Sequence, residues 1–279
     1  MKKNPKSKII IVSLLILLFI TAFYNGLVVR DYKIKTDKLL PAQSIKIVLI
    51  TDLHSHMYGN GQRKIIKKIM DQNPDLIALA GDILDDEVPT HGTEVFLDAI
   101  RNIAPIYYVT GNHEIWTRDV SNVKDIFKSY GVSVLENNYE EVNINGIDLI
   151  LAGVEDPDII PYERPQSNWY EEVEEGLLNV GNKEGYKILL SHRPELVDFY
   201  NTLDFDMVLS GHAHGGQVRI PFILNGLYAP HQGFFPKYAG GVYDHENYTH
   251  IVSRGSSFNP KLPRIFNPPE VVSITIIGE

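Results

Sequence analysis

Apolar residues fall along this chain in two rhythms. Short unbroken runs recur: SIKIVLIT (44–51), LIALA (76–80), IYYVT (106–110), KILLS (187–191) and MVLS (207–210). Runs this short, bounded by Gly and Asp, are the signature of strands buried on both faces. Between the first of them, GQRKIIKKIMDQ (61–72) places Ile65, Ile66 and Ile69 at helical spacing, and a second helix is predicted around Thr93–Asn102. Strands alternating with helices at this interval predict an α/β layered core. The second half is richer in strands. Residues 132–135, 140–144 and 147–152 form short ones, with Asn145–Gly146 as a hairpin turn, and YTHIVS (248–253) and VVSITII (271–277) follow. Trp169–Val180 is predicted helical, with Glu171, Glu172, Glu174 and Glu175 on its solvated face. The expected fold is α/β: a four-layer sandwich of two mixed sheets flanked by helices, preceded by an N-terminal transmembrane helix.

That helix is the uncharged run Ile9 to Val29, which follows Lys2, Lys3, Lys6 and Lys8. At 1.5 Å per residue it would extend about 31 Å, close to the hydrocarbon thickness of a bilayer. Phe23, Tyr24 and Asn25 stand where a signal peptide would carry small residues, so an uncleaved anchor is expected. The organisation read from the sequence is a basic tail (1–8), an anchor (9–29), a polar tether (30–44) and a catalytic domain (45–279). Lys and Arg are balanced across the anchor; a single pass in the cell membrane with the domain outside the cytoplasm is the expected arrangement.

Composition narrows the chemistry. The 279 residues carry a formal charge of −9 at pH 7 without a basic block, which argues against a nucleic-acid scaffold. There is no cysteine, so disulfides and thiolate-held zinc are excluded, and any metal must be bound by imidazole, carboxylate or amide groups.

Five polar motifs supply those groups, each where a predicted strand ends: Asp52-Leu53-His54, Gly81-Asp82, Gly111-Asn112-His113, Ser191-His192 and Gly211-His212-Ala213-His214. Ligands of α/β sheets gather outside the carboxyl ends of strands. Alternation puts residues i and i+2 on one side, so Asp52 can converge with His54, and His212 with His214. Singly, each motif reads as an ordinary turn; five in this order are a metal-site pattern.

In sequence they read TDLH, AGD, TGNHE, LSHRPE and SGHAHGGQ, and here the chain resembles the calcineurin-like metallophosphoesterase superfamily over residues 45–277. The stretches SHRPE, GHAHGGQ and the C-terminal segment from Tyr238 are similar to its membrane-associated YkuE/YaeI-type subgroup, linked to phosphodiesterase or lipid-phosphate chemistry. Ala213 replaces the usual Thr of GHTHGGQ and touches no ligand position. The resemblance implies two divalent ions, Mn, Fe or Zn, bridged by Asp82. Asp52, His54 and His214 would complete one site, and Asn112, His192 and His212 the other. It implies that water activated by the ions attacks phosphorus, and that His113 protonates the leaving oxygen or clamps phosphate. Asp85 could orient His113, with a turn-capping role as the alternative, and Arg193 could contact phosphate or simply be solvated. No organic cofactor is expected.

His56, His91, His231, His245 and His250 belong to no motif and read as surface or structural. Phe234, Phe235 and Tyr238 read as core, with a substrate- or membrane-facing lip as the sharper alternative. The function expected is a membrane-anchored phosphodiesterase acting on a lipid-linked or envelope-derived phosphoester. The alternatives are a phosphomonoesterase or protein phosphatase, a metal-dependent amide hydrolase, or a non-catalytic metal-binding domain.

Overall fold

The computed structural model describes residues 5–258 and 262–279. One mixed sheet has the order β1 (Val28–Thr36), β14 (Glu270–Gly278), β2 (Ser44–Ile50), β3 (Leu76–Ala80), β4 (Ile106–Val109) and β5 (Ser133–Val134). The other runs β12 (Gly241–Asp244), β13 (Thr249–Val252), β9 (Met207–Ser210), β8 (Tyr186–Leu190), β7 (Ile147–Gly153) and β6 (Asn138–Ile144). Strands β2 to β5 are parallel, as are β7, β8, β9 and β13. A small hairpin, β10 (Tyr228–Ala229) with β11 (Gly233–Phe234), stands apart from both sheets.

The layers follow from alternation along the strands. Ile47 and Leu49 of β2, Leu76 and Ala78 of β3, Leu149 and Leu151 of β7, and Ile188 and Leu190 of β8 point into a common core between the sheets. The residues between them point outward and are also buried. Val48, Ile50, Ile77 and Leu79 pack on α2 (Arg63–Met70), α3 (His91–Ile100) and α5 (Val120–Ser129). Ile150, Leu189 and Val208 pack on α7 (Trp169–Leu177) and α8 (Val197–Tyr200), with α4 (Asn112–Trp116) and α6 (Ile159–Glu163) at the edge. Burial on both faces is why these strands read as unbroken apolar runs. Four layers result, helices outside and the two mixed sheets within, as expected. At the β6–β7 turn Asn145 and Gly146 have φ of 55° and 79°, the left-handed pair a tight hairpin demands.

The N-terminal segment departs from expectation. Helix α1 spans Pro5–Ala22, and Val28 and Val29 belong to a strand rather than to its continuation. Among the described residues, no helix is long and apolar enough to cross a membrane. The large apolar residues from Ile9 to Ile20 are nevertheless exposed on every side, at 54–66% each. The polar tether expected at 30–44 is a strand over its first part. β1, VVRDYKIKT, alternates Tyr32 and Ile34 toward the core with Lys33 and Lys35 toward solvent and pairs along its length with β14, which leaves 37–43 as the connection to β2. The folded domain therefore begins at Val28, and residues 23–27 alone separate it from α1. This junction is fixed at both ends: the Phe266 N–H donates to Ala22 O at 2.7 Å and the Val28 N–H to Pro269 O at 2.9 Å.

Candidate metal centre

The five motifs leave the carboxyl ends of β2, β3, β4, β8 and β9 and meet in one region. To turn inward there, Asp52, His54, Asp82, His212 and His214 adopt left-handed backbone, with φ between 47° and 68°. Such conformations cost roughly 1–3 kcal/mol each for residues with a side chain and cluster where function holds them. Glycines let the loops close. A Cβ on Gly81 would lie 2.5 Å from Nδ1 of His192, and one on Gly211 would lie 2.6 Å from Oδ2 of Asp52.

Among the described residues four groups of donors lie close enough to share an ion, and two of them consist of proposed ligands alone. Asp52, His54 and His214 form one: His214 Nε2 is 3.5 Å from Asp52 Oδ1 and 3.4 Å from His54 Nε2. Asp82, His192 and His212 form the other, with His192 Nε2 3.2 Å from His212 Nδ1. Asp82 lies between them. Its Oδ1 accepts the His113 N–H at 2.9 Å, which leaves Oδ2 at 3.1 Å from His192 Nε2 and 3.8 Å from His54 Nε2. Asn112 is buried, and its Oδ1 has no hydrogen-bond partner among the described residues. A buried carbonyl oxygen left without a partner is costly unless something absent from the protein itself satisfies it. These oxygen and nitrogen donors suit Mn, Fe or Zn, so the residues fit a pair of divalent ions.

The surrounding residues fix how these donors point. His192 Nδ1 pairs with the backbone oxygen of Ala80 at 2.9 Å, and His54 Nδ1 with Asp85 Oδ2 at 2.9 Å, leaving both Nε2 atoms for the site. This is the usual way of orienting a metal-binding imidazole. His113 Nδ1 pairs with Asp86 Oδ1 at 2.6 Å and lies 3.6 Å from Asp85. The expected Asp85–His113 partnership is thus corrected: Asp85 Oδ2 pairs with His54 and its Oδ1 accepts the Glu87 N–H at 2.8 Å, the turn-capping role, while Asp86 is the carboxylate that orients His113.

Glu114, the last residue of TGNHE, holds the loops together. Its carboxylate accepts the N–H groups of Asp82, Ile83, Leu84 and Gly111 at 2.7–2.9 Å. Burial and the Asp82 charge push its carboxyl up to about 7 against the pull of those donors. Replacing one oxygen by an amide would set it against two N–H groups. Glu114→Gln is therefore expected to cost about 2–4 kcal/mol, read as a lower thermal midpoint, whereas an unchanged midpoint would remove the clamp.

Electrostatics divide the imidazoles. Burial pushes His214 down to about 3 despite Asp52, and burial with the nearby His192 and Arg193 charges pushes His212 well below the ordinary range. Both are neutral, the form that binds metal. Burial also opposes charge on His192, yet Asp82 and Asp52 raise it to about 10. Burial would raise Asp82, but His192, His113 and His54 hold it well below the carboxylate range.

One expectation fails here and another is incomplete. Arg193 is buried, forked onto Asp156 at 2.5 and 2.8 Å and held by Asp158 at 2.9 Å, so it is neither solvated nor free for phosphate. Its Nη1 faces His231. His231, read as surface or structural, lies in the β10–β11 turn with Nδ1 at 2.9 Å from His212 Nε2, at the edge of the centre. Nothing in its local sequence marks it; tertiary folding alone brings it there. The same hairpin exposes Phe234 and Phe235, at 71% and 68%, while Tyr238 is core as expected. Of the remaining histidines, His250 is buried and paired with Ser210 Oγ, a structural role.

A family profile described as calcineurin-like phosphoesterase matches residues 45–216. The chain belongs to that family. Its members depend on two metal ions, and this phosphoesterase is accordingly a metal-dependent phosphoester hydrolase. An uncharacterised metallophosphoesterase of Aquifex aeolicus is 30% identical over 262 residues, covering 90% of this chain and 92% of the relative. One of Campylobacter jejuni is 28% identical over 85% of this chain, which spans only 60% of that relative's length. A dimetal phosphatase of Danio rerio superposes with a TM-score of 0.47 at 12% identity, covering 76% of this chain and 87% of its own.

Proposed function

We propose that this phosphoesterase hydrolyses phosphodiesters, with Asp52, His54 and His214 holding one ion, Asn112, His192 and His212 the other, and Asp82 shared. The observation that carries the reading is the position of Asp82 Oδ2, 3.1 Å and 3.8 Å from imidazoles of the two groups. Bound there, the ions would offer positive charge to phosphate oxygens and lower the pKa of water. The chain's own contribution is a proton at His113. With Nδ1 engaged by Asp86, its Nε2 is the nitrogen that protonates the leaving alkoxide.

The charge available favours diesters. Arg193, the one arginine contributed by the five motifs, is already neutralised by Asp156 and Asp158. The ions therefore meet the substrate's charge unaided, which suits a singly charged diester better than a dianionic monoester. The exposed Phe234 and Phe235 beside His231 offer an apolar lip to a substituent on the second ester oxygen. Metal-loaded protein is expected to cleave bis-p-nitrophenyl phosphate at least about tenfold faster than p-nitrophenyl phosphate, and an anilide not at all. Faster monoester cleavage would overturn the diester assignment, and anilide cleavage would favour the amide hydrolase alternative.

The second part of the reading is that α1 seats the enzyme in the cell membrane, with the domain outside the cytoplasm. Its support is an apolar surface exposed all around α1; the lysines and arginines are balanced on its two sides, and a large C-terminal domain is translocated largely regardless of charge. A site held there by five linking residues would meet lipid-linked or envelope phosphodiesters. Deleting residues 1–22 leaves β1 whole. The truncated protein is expected to leave the membrane fraction while its rate on a soluble diester changes less than about twofold, since no proposed ligand precedes Asp52. Full-length protein in the soluble fraction would contradict the anchor.

A further inference from the structure

A second feature lies at the foot of α1, away from the proposed ligands. A cavity of about 670 Å³ opens between residues 24–27, which leave α1, and the exposed side of α2. Its apolar and aromatic lining comes from Tyr24, Leu27, Met57 and Phe258; α2 and its end contribute Lys64, Lys67, Lys68 and Asp71. Lys64 and Lys68 are one helical turn apart on α2 and share a face. Lys67, between them, is paired with Asp71 at 2.8 Å, whereas Lys64 and Lys68 form no ion pair among the described residues. Gly59, beside Lys64, keeps the rim low: no side chain projects there. The cavity thus joins two cations that form no ion pair among the described residues to an apolar lining that begins two residues after α1.

We infer that this cavity binds the headgroup of an anionic glycerophospholipid from the bilayer in which α1 sits. The phosphate lies against Lys64 and Lys68, and the glycerol and upper acyl chain lie along Tyr24, Met57 and Phe258. A soluble anion would have no use for the apolar wall, and a neutral lipid none for the lysines. Phosphatidylcholine and phosphatidylglycerol both carry a phosphate, but only the second leaves its charge unbalanced for the pair of lysines to meet. The lipid here is a docking ligand that fixes the domain against the membrane, not the ester being cleaved. The inference rests on the membrane placement of α1 and is independent of the metal centre.

The test uses full-length protein reconstituted into phosphatidylcholine vesicles, with chelator present so that no lipid is turned over. The vesicles carry a trace of photoactivatable phosphatidylglycerol or photoactivatable phosphatidylcholine, the reactive group being close to the glycerol. Illumination should label α1 with both lipids, and residues 24–27 and 56–58 at least tenfold more with phosphatidylglycerol. The double variant Lys64→Gln/Lys68→Gln, conservative in helix propensity, should lose that excess while the labelling of α1 stays constant, which also shows that the protein is inserted. Equal labelling of the cavity by the two lipids, or an excess that survives in the double variant, would overturn the inference. Labelling of α1 alone would overturn it and leave the anchor standing. Labelling of neither would overturn both.

Discussion

Asp82→Asn is expected to lose at least one of two bound ions and to slow turnover by about a thousandfold or more. Its Oδ1 is committed to the His113 N–H, so substitution turns the other position, the one facing both donor groups, into a neutral amide. The amide nitrogen would aim hydrogens at the ions, and the negative charge that offsets their mutual repulsion would be gone. Metal clamps of this kind supply several kcal/mol of transition-state stabilisation, which sets the size of the loss. Metal content and kcat should fall together. A variant that kept two ions and a near-normal rate would show that Asp82 is not shared.

The second large effect belongs to His113. Its Nδ1 is taken by Asp86 and its ring packs edge-on against His54 at 4.5 Å, outside the two proposed ligand sets, so His113→Ala should leave the metal content unchanged. Turnover of an alkyl diester should fall by about 10²–10⁴, the range for removing a general acid. A p-nitrophenyl diester, whose leaving group needs little protonation, should lose much less. Asp86→Asn should produce a weaker version of the same pattern, because the imidazole loses its orientation but not its proton. An equal loss on both esters would assign His113 to holding phosphate instead.

The strands that carry these residues were legible because both of their faces are buried. The runs at 44–51, 76–80 and 207–210 correspond to β2, β3 and β9 to within a residue. Of the four edge strands of the two six-stranded sheets, β5 and β6 were legible and β1 and β12 were not. β1 alternates a half-covered face with charged residues, and its composition reads as a linker until β14, more than two hundred residues later, pairs with it. Helix α5 is absent from the sequence reading although Val120, Val123 and Phe127 repeat at helical spacing. At the centre, the motif residues converge as their order implied. The parity of Asp85 and Asp86 did not follow, because loop residues obey no periodicity. His231 and Arg193 show the same limit from two sides. One was brought to the centre by a hairpin, and the other was withdrawn from it by Asp156 and Asp158, acidic residues with no motif of their own.

We propose that two ions, bound by these two donor groups, are what make the chain a hydrolase. The most direct measurement titrates metal-free protein with Mn, following bound metal and hydrolysis of bis-p-nitrophenyl phosphate in the same samples. Two ions should bind per chain, with activity absent in chelator and complete only as the second site fills. Saturation at one ion, or full activity in the chelated protein, would contradict the account.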